Sequence, residues 1–490
     1  METKKSREQE KTPFLDAYKA YLESDPVPFD VPGHKLGNFE TDLSRKLSPC
    51  FSKYDANAPI GLDNLYHAKG VIKEAEDLAA KACHADHCLF SVNGTTGAIL
   101  TRFRSTLHAK DKVIRPRNIH KSVVNGLILS GATPIFVNPF IDEELGVACQ
   151  RRRDDLIQAR DENKDAKAVF IINPTYFGVT SDLKKIVEEA HNRNRIVRCD
   201  EAHGSNFYFS SKLPVSARQA GADITARSRH KNSGSLTQTS LLLVKGKRID
   251  RFEVKRAFAR FSSTSPYHPL MASLDAARKE RALHGKEILD RCLELSKYAR
   301  EHLNKIPGIH VYDKDYIKKW NTTGVFDIDL TKLVIDVRGL GMFGYDVYKE
   351  IRKESNIQLE LGEVSVVLAI VGPGTTKEHI DRLIQAFERL SKEHYKEGKK
   401  LSVLRYRYTY PIRRRIPRTA YDDPYKILPL KDAVGEISEE TIRAYPPGIP
   451  IILPGEEISK DTITRINFYR REKGQILKDT KEGCIKVVVR

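Results

Sequence analysis

Between about residue 61 and residue 245, short apolar runs alternate with amphipathic segments, and this rhythm limits the possible folds more than any other feature of the chain. The runs are Leu89–Val92, Lys112–Ile114, Pro134–Val137, Ala168–Ile172, Ile196–Cys199, Asp223–Ala226 and Ser240–Val244. Their length and bounding turns are those of strands. Between two of them lies SDLKKIVEEAHNRN. Its Leu183, Ile186, Val187 and Ala190 recur at helical spacing, and Ser181 or Asp182 is placed to cap the helix. The alternation predicts an α/β fold: a mostly parallel central sheet with helices on both faces.

The flanking segments divide the chain further. Residues 1–30 read as a solvated arm followed by a helix, with Phe14, Ala17, Tyr18 and Tyr21 on one face. Residues 31–308 form a large domain that ends in a long helix over 270–305. A small α/β domain over 309–395 carries the strand-like KLVIDV (332–337) and VSVVLAIV (364–371). The charged, proline-bearing stretch 396–426 reads as a basic linker, and 427–490 as a C-terminal lobe.

Composition narrows the function classes. No apolar run reaches the roughly 18 residues that span a bilayer, and METKKSREQEK lacks an apolar signal core. Seven cysteines, an odd number, argue against a disulfide framework. The expectation is a cytoplasmic protein with no membrane association. Lys plus Arg exceeds Asp plus Glu by 18, which favours anionic ligands without deciding the fold.

In open α/β sheets, ligands bind beyond the carboxyl ends of strands. Four loops fall there. In SVNGTTGA (91–98), Gly94 lets the backbone approach a ligand, while Thr95 and Thr96 present hydroxyls at a helix start, which suits a phosphate. An ordinary helix cap also accounts for the motif. In RNIHKSV (117–123), His120 directly follows a strand and is either structural or catalytic. In CDEAHG (199–204), Asp200 ends a strand and either pairs with a cation or caps the next helix. In SRHKNSGSLTQTS (228–240), Lys231 is a candidate Schiff-base nucleophile or a solvated loop lysine.

Together the four supply the parts of a pyridoxal 5′-phosphate site. Lys231 would hold the cofactor. Asp200 would keep the pyridine nitrogen protonated, which makes the ring a better electron sink. His120 would stack on the ring face, and Thr95, Thr96 and Ser228 would bind the phosphate.

The same segments carry a resemblance. PGHKLG, LDNLYHAKGVIKEAEDLAA, NGTTGA, PRNIHKSV, NPTYFGV, DEAHG, SRHKNSGSLTQTSLL, STSPYHPLMASLDAAR and AYPPGIPIILPGE occur in order. From about residue 11 onward the chain resembles the ornithine/lysine/arginine decarboxylase family, whose members depend on pyridoxal phosphate and have the aspartate aminotransferase-type fold (fold type I). The resemblance implies cofactor contacts from Gly94, Thr95, Thr96, His120, Asp200, Ala202, His203, Ser228 and Lys231, with His203 near the cofactor's phenolic oxygen. It implies catalytic roles for Lys231, His230, Asp200 and His120, with His230 or Lys231 as proton donor, and no metal. PGHK begins at Pro32, which leaves no room for the flavodoxin-like lobe of the longer members. That points to the short biosynthetic type, which acts on arginine for polyamine synthesis. Lysine or ornithine decarboxylation is the alternative, and an aminotransferase or lyase of the same fold is a further one. The resemblance also implies a homodimer or larger assembly.

Three departures bear on efficiency and substrate preference. Arg229 precedes His230 where a small hydroxyl residue is usual. ILTRFRSTLHAKDK is unusually basic. Cys83-His84 replaces Phe-Gly. Two motifs stand outside this reading. RYRYTYPIRRRIPR (405–418) interleaves Arg with Tyr as single-stranded nucleic acid binding would want, although a linker lying on acidic surface explains it better. CHADHC (83–88) has zinc-ligand residue types but no second pair nearby. Glu360, Glu363 and Glu439 are candidate partners for a guanidinium, and spacing alone does not choose among them.

Overall fold

The computed structural model describes residues 2–39, 42–47, 50–57, 59–142, 147–149, 153–320, 324–402, 409–445, 449–471 and 475–489. Residues 405–408 of the arginine–tyrosine stretch and 446–448 of the PPG turn lie outside them. The chain forms two compact units. One comprises residues 1–106, 198–211 and 215–289, and the other 107–197, 212–214 and 290–490.

All seven expected strands are present. They are β1 (His87–Ser91), β2 (Lys112–Pro116), β3 (Thr133–Val137), β4 (Ala168–Ile172), β5 (Ile196–Asp200), β6 (Ile224–Ser228) and β7 (Ser240–Val244). In the first unit β7 lies between β1 and β6 and runs antiparallel to both, with Ser91 opposite Ser240 and Ser240 opposite Ser228. The end of β5 runs parallel to β6, with Asp200 opposite Ala226. In the second unit β2 runs parallel to both β3 and β4. The strands are thus mostly parallel, with an antiparallel β1–β7–β6 portion that the periodicity did not reveal.

The helices follow the sequence logic closely. Helix α1 covers Glu2–Gln9 and α2 covers Pro13–Glu23, with a proline at its start and Phe14 and Tyr18 buried. Helix α3 is Val71–Ala82, and α4, Gly94–Thr106, starts three residues after β1. Helix α5 is Lys121–Ser130. Helix α6, Leu183–His191, buries the four expected residues, and Asp182 supplies the cap by accepting from Lys185 N at 3.4 Å. Helix α7 is Arg251–Phe261, and the expected long helix is α8, His268–Leu303. The small α/β region contains β8 (Lys332–Asp336) and β9 (Val366–Ile370), paired antiparallel, and helix α9 (Lys377–His394) with a Thr376 capping box. Within 396–426, residues Pro417–Asp422 form helix α10. The terminal segment has its own apolar cluster, including Leu430, Ile442, Ile451, Ile466 and Val487.

The arm differs from its composition. Gln9 is buried, and its Nε2 donates to Leu78 O at 3.1 Å. Arg278 donates to Gln9 O at 2.6 Å, and Asp275 accepts from Phe14 N at 3.1 Å. These partners are 69 to 269 residues away in sequence, beyond the reach of local composition.

The core carries charge. Arg102, Arg115, Arg117, Arg198, Arg227, Arg229, Arg278 and Arg281 are among the largest fully buried side chains. Three of them sit in strands, Arg115 in β2, Arg198 in β5 and Arg227 in β6. Arg278 is neutralised by Asp275 at 2.7 Å, and Arg117 by Glu456.

Candidate active site

The first unit brings most of the expected site residues together on loops that leave β1, β5 and β6. Beyond β1, Gly94 adopts φ +68°, a region that glycine occupies readily, and its N–H donates to Gln238 O at 2.8 Å. Ser91 Oγ donates to Gly94 O at 3.0 Å. A Cβ at Gly97 would lie 2.9 Å from Asn93 Cβ, so a glycine there lets the first turn of α4 close on the loop. Thr95 Oγ1 is buried with no hydrogen-bond partner among the described residues. An orphaned hydroxyl beside free N–H groups at a helix start is what a bound phosphate would satisfy. Thr96 is exposed at the same turn.

Asp200 is the last residue of β5 and is buried, and its Oδ1 accepts from Ala202 N at 3.1 Å. Arg102, on α4, donates to Cys199 O. Burial pushes its guanidinium down to about 10, and the negative charge of Asp200 works against that fall. The neighbouring Glu201 is fully buried. Desolvation pushes its carboxyl up to about 7 despite Arg227, whose Nε lies 4.0 Å away. Ala217 N donates to Glu201 at 2.6 Å.

Beyond β6, Ser228 Oγ lies 3.1 Å from His230 Nδ1, which also approaches Thr239 O at 3.1 Å. Lys231 Nζ lies 2.6 Å from His203 Nε2, which joins the two loops. Asn232 Nδ2 donates to His203 O at 3.1 Å, and Arg281 on α8 donates to Asn232 O at 2.8 Å. Sequence reasoning missed Asn232 and Gln238. Both lie within the motif already singled out, and only their backbone partners show their role.

Arg229 is fully buried and donates to Ala277 O at 3.1 Å. Burial, reinforced by the like charges of Arg227 and Arg281, pushes its guanidinium down to about 9. Arg227 donates to Cys83 Sγ at 2.9 Å and lies over the Tyr208 ring, 3.6 Å from its centroid.

His120 belongs to the second unit, where it is exposed and forms the N-cap of α5. Its Nδ1 accepts from Ser122 N at 3.2 Å and lies 2.8 Å from Ser122 Oγ. That bond places the ring proton of the neutral imidazole on Nε2. In the same unit Glu360 accepts from Tyr176 Oη, and Glu363 from Tyr345 Oη at 3.0 Å. Glu439 has Lys486 Nζ at 3.9 Å, and burial raises its carboxyl.

Residues 12–379 match the Orn/Lys/Arg decarboxylase major domain, and residues 415–475 match the C-terminal domain of the same family. The chain is 39% identical over 473 residues to an arginine decarboxylase of Halalkalibacterium halodurans, covering 94% of each chain. It is 39% identical over 484 residues to an arginine decarboxylase of Bacillus subtilis, covering 98% of each. The solved lysine decarboxylase of Francisella novicida superposes with a TM-score of 0.84 at 21% identity, covering 97% of this chain and 81% of that one. No helix among the described residues is long and apolar enough to cross a membrane. The chain belongs to the Orn/Lys/Arg decarboxylase family and is a pyridoxal phosphate-dependent decarboxylase with the aspartate aminotransferase-type fold.

Proposed function

We propose that the chain decarboxylates L-arginine to agmatine and CO2. The 2.6 Å contact between Lys231 and His203, beside the buried Asp200, carries the reading. Identities of 36–39% to four proteins named arginine decarboxylases support arginine over lysine or ornithine.

Lys231 Nζ would be the covalent attachment point for the cofactor. Asp200 would pair with the pyridine nitrogen, and His120 would stack on the ring. Gly94, Thr95, Thr96 and Ser228 would hold the phosphate, with the orphaned Thr95 hydroxyl as one donor. Ala202 and His203 would line the ring edge. Pyridoxal phosphate, when bound, would supply an electron sink for the carbon that loses CO2. The chain's own task is to return a proton to Cα, and His230 or the Lys231 amine would be the donor. Asn232 and Arg281 keep the Lys231 loop in register for that transfer.

Six described cysteines are free thiols, which supports a cytoplasmic protein. Val27, Phe29, Val31 and Ile60 are strongly exposed apolar residues in one N-terminal stretch, which supports a homodimer or larger assembly. Agmatine as product makes polyamine synthesis the natural use.

The test is CO2 release from arginine, lysine and ornithine in parallel, with Lys231→Ala as control. Arginine turnover that disappears in the variant, together with the visible absorbance of bound cofactor, supports the reading. Release from lysine or ornithine but not arginine overturns the substrate, and amino transfer to an oxo-acid without CO2 overturns the reaction.

A further inference from the structure

Helix α5 has His120 as its N-cap and is held at both ends by residues from 409–418 and 451–456. At its entry, Arg117 lies three residues before His120, on the link out of β2. Its guanidinium makes two parallel bonds to the carboxylate of Glu456, one of them 2.6 Å from Nη2 to Oε2. Both side chains are almost wholly buried. Arg117 Nη2 also approaches Ile451 O at 3.4 Å, and the guanidinium lies 5.1 Å from the Phe136 ring centroid and 5.5 Å from that of Tyr410. Glu456 is itself fixed: its Oε2 accepts from Leu453 N at 2.9 Å, and its backbone bridges to Arg413. At the exit, Arg418 donates from Nε to Ile128 O at 2.6 Å and from Nη2 to Leu129 O, two carbonyls of the last helical turn. Gly131, at φ +68°, makes room for it, because a Cβ there would lie 3.0 Å from Arg418 Nη1.

A bidentate carboxylate–guanidinium pair fixes direction as well as distance. Only Asn118 and Ile119 separate Arg117 from His120, and Ile119 is buried. The imidazole is exposed and caps the helix through Ser122, so its place follows the start of the helix.

We propose that residues 409–418 and 451–456 form a clamp that sets His120, with Glu456, acting through Arg117, and Arg418 as positioning residues for the decarboxylation. The proposal rests on the reading of His120 as the ring-stacking residue. Neither positioning residue touches substrate or cofactor in it. Their effect is on the angle and rigidity of the imidazole.

The experiment compares Glu456→Gln, Arg418→Ala and His120→Ala with the wild type. Hydrogen exchange of the cofactor-free protein over 117–130 reads the clamp without the cofactor. The cofactor dissociation constant, its induced circular dichroism, and kcat with KM for arginine read the consequence. The expected result for Glu456→Gln is faster exchange at 117–123, cofactor binding weakened by about tenfold, altered induced dichroism and lower kcat with nearly unchanged KM. Arg418→Ala, a half-exposed side chain whose loss spares the core, is expected to speed exchange at 126–131 and give the same changes more weakly. If folded Glu456→Gln and Arg418→Ala both exchange like the wild type, the clamp is overturned. Should Glu456→Gln fail to fold, Arg418→Ala alone decides. Faster exchange in the clamp variants, with His120→Ala holding cofactor like the wild type, keeps the clamp and overturns the role given to His120.

Discussion

Lys231 Nζ sits 2.6 Å from His203 Nε2, and the backbone carbonyl of His203 is held by Asn232, the residue after the lysine. The two loops are thus tied twice, once by side chains and once by side chain to backbone. An ammonium group carries donors only, so a neutral imidazole nitrogen is its matched acceptor, and two protonated groups at this distance would repel.

His203→Ala should slow the capture of cofactor by Lys231, because one of the two ties between the loops is lost. Mixing cofactor-free protein with pyridoxal phosphate and following absorbance gives the capture rate. A wild-type rate would show that this contact does not position Lys231.

Asp200→Ala should separate cofactor binding from turnover. The phosphate and lysine contacts remain, so the visible band of bound cofactor is expected to persist. In the role proposed for Asp200, its loss removes the carboxylate partner of the ring nitrogen and weakens the electron sink, and kcat is expected to drop about a hundredfold or more. The same preparation can be assayed for spectrum and CO2 release, and wild-type rates would remove Asp200 from the chemistry.

Glu363 should make stability depend on pH in an unusual direction. The residue is half-buried, and desolvation pushes its carboxyl from 4.5 up to about 8 against bonds from Tyr345 Oη and Val364 N. Below about 4.5 the group is protonated in both the folded and the unfolded chain, so it contributes no pH dependence there. As pH rises from about 4.5 to about 8, the unfolded chain ionises first and folding stability is lost, by up to a few kcal/mol once the folded-state value is passed. Glu363→Gln is expected to match the wild type near pH 5 and to melt at a higher temperature near pH 9. Parallel melting curves that do not diverge with pH would refute it.

The sequence displayed what is periodic or local. The seven strands, the α6 face with its Asp182 cap and the long α8 were all readable, because strand and helix spacing is written in neighbouring residues. So were the loops that carry Gly94, Asp200 and Lys231, because their place at strand ends follows from the strands themselves. The antiparallel insertion of β7 was not, since its apolar run suits either direction. Nor was the Arg117–Glu456 pair, whose members are 339 residues apart. The N-cap role of His120 depends on backbone torsions that the motif does not announce. Arg229 stood out as an unusual residue, but its burial beside two more arginines emerges only once β6 and α8 come together.

That cluster yields the last prediction. Arg229 is fully buried, its guanidinium donates to Ala277 O, and burial together with Arg227 and Arg281 drives that guanidinium down to about 9. A buried cation costs folding free energy unless it is paired, and its nearest charged neighbours carry the same sign. Methionine has a similarly long, unbranched chain and no charge, and it fills irregular core space well. Arg229→Met is therefore expected to stabilise the protein by about 1–3 kcal/mol, seen as a higher melting temperature and a higher denaturant midpoint. The lysine two residues on should be undisturbed, because Asn232 and His203 still hold its loop. The cofactor band should accordingly stay where it is while the melting point moves. A lower melting point would mean that the bond to Ala277 outweighs the repulsion. A shifted band would mean that the arginine charge reaches the lysine.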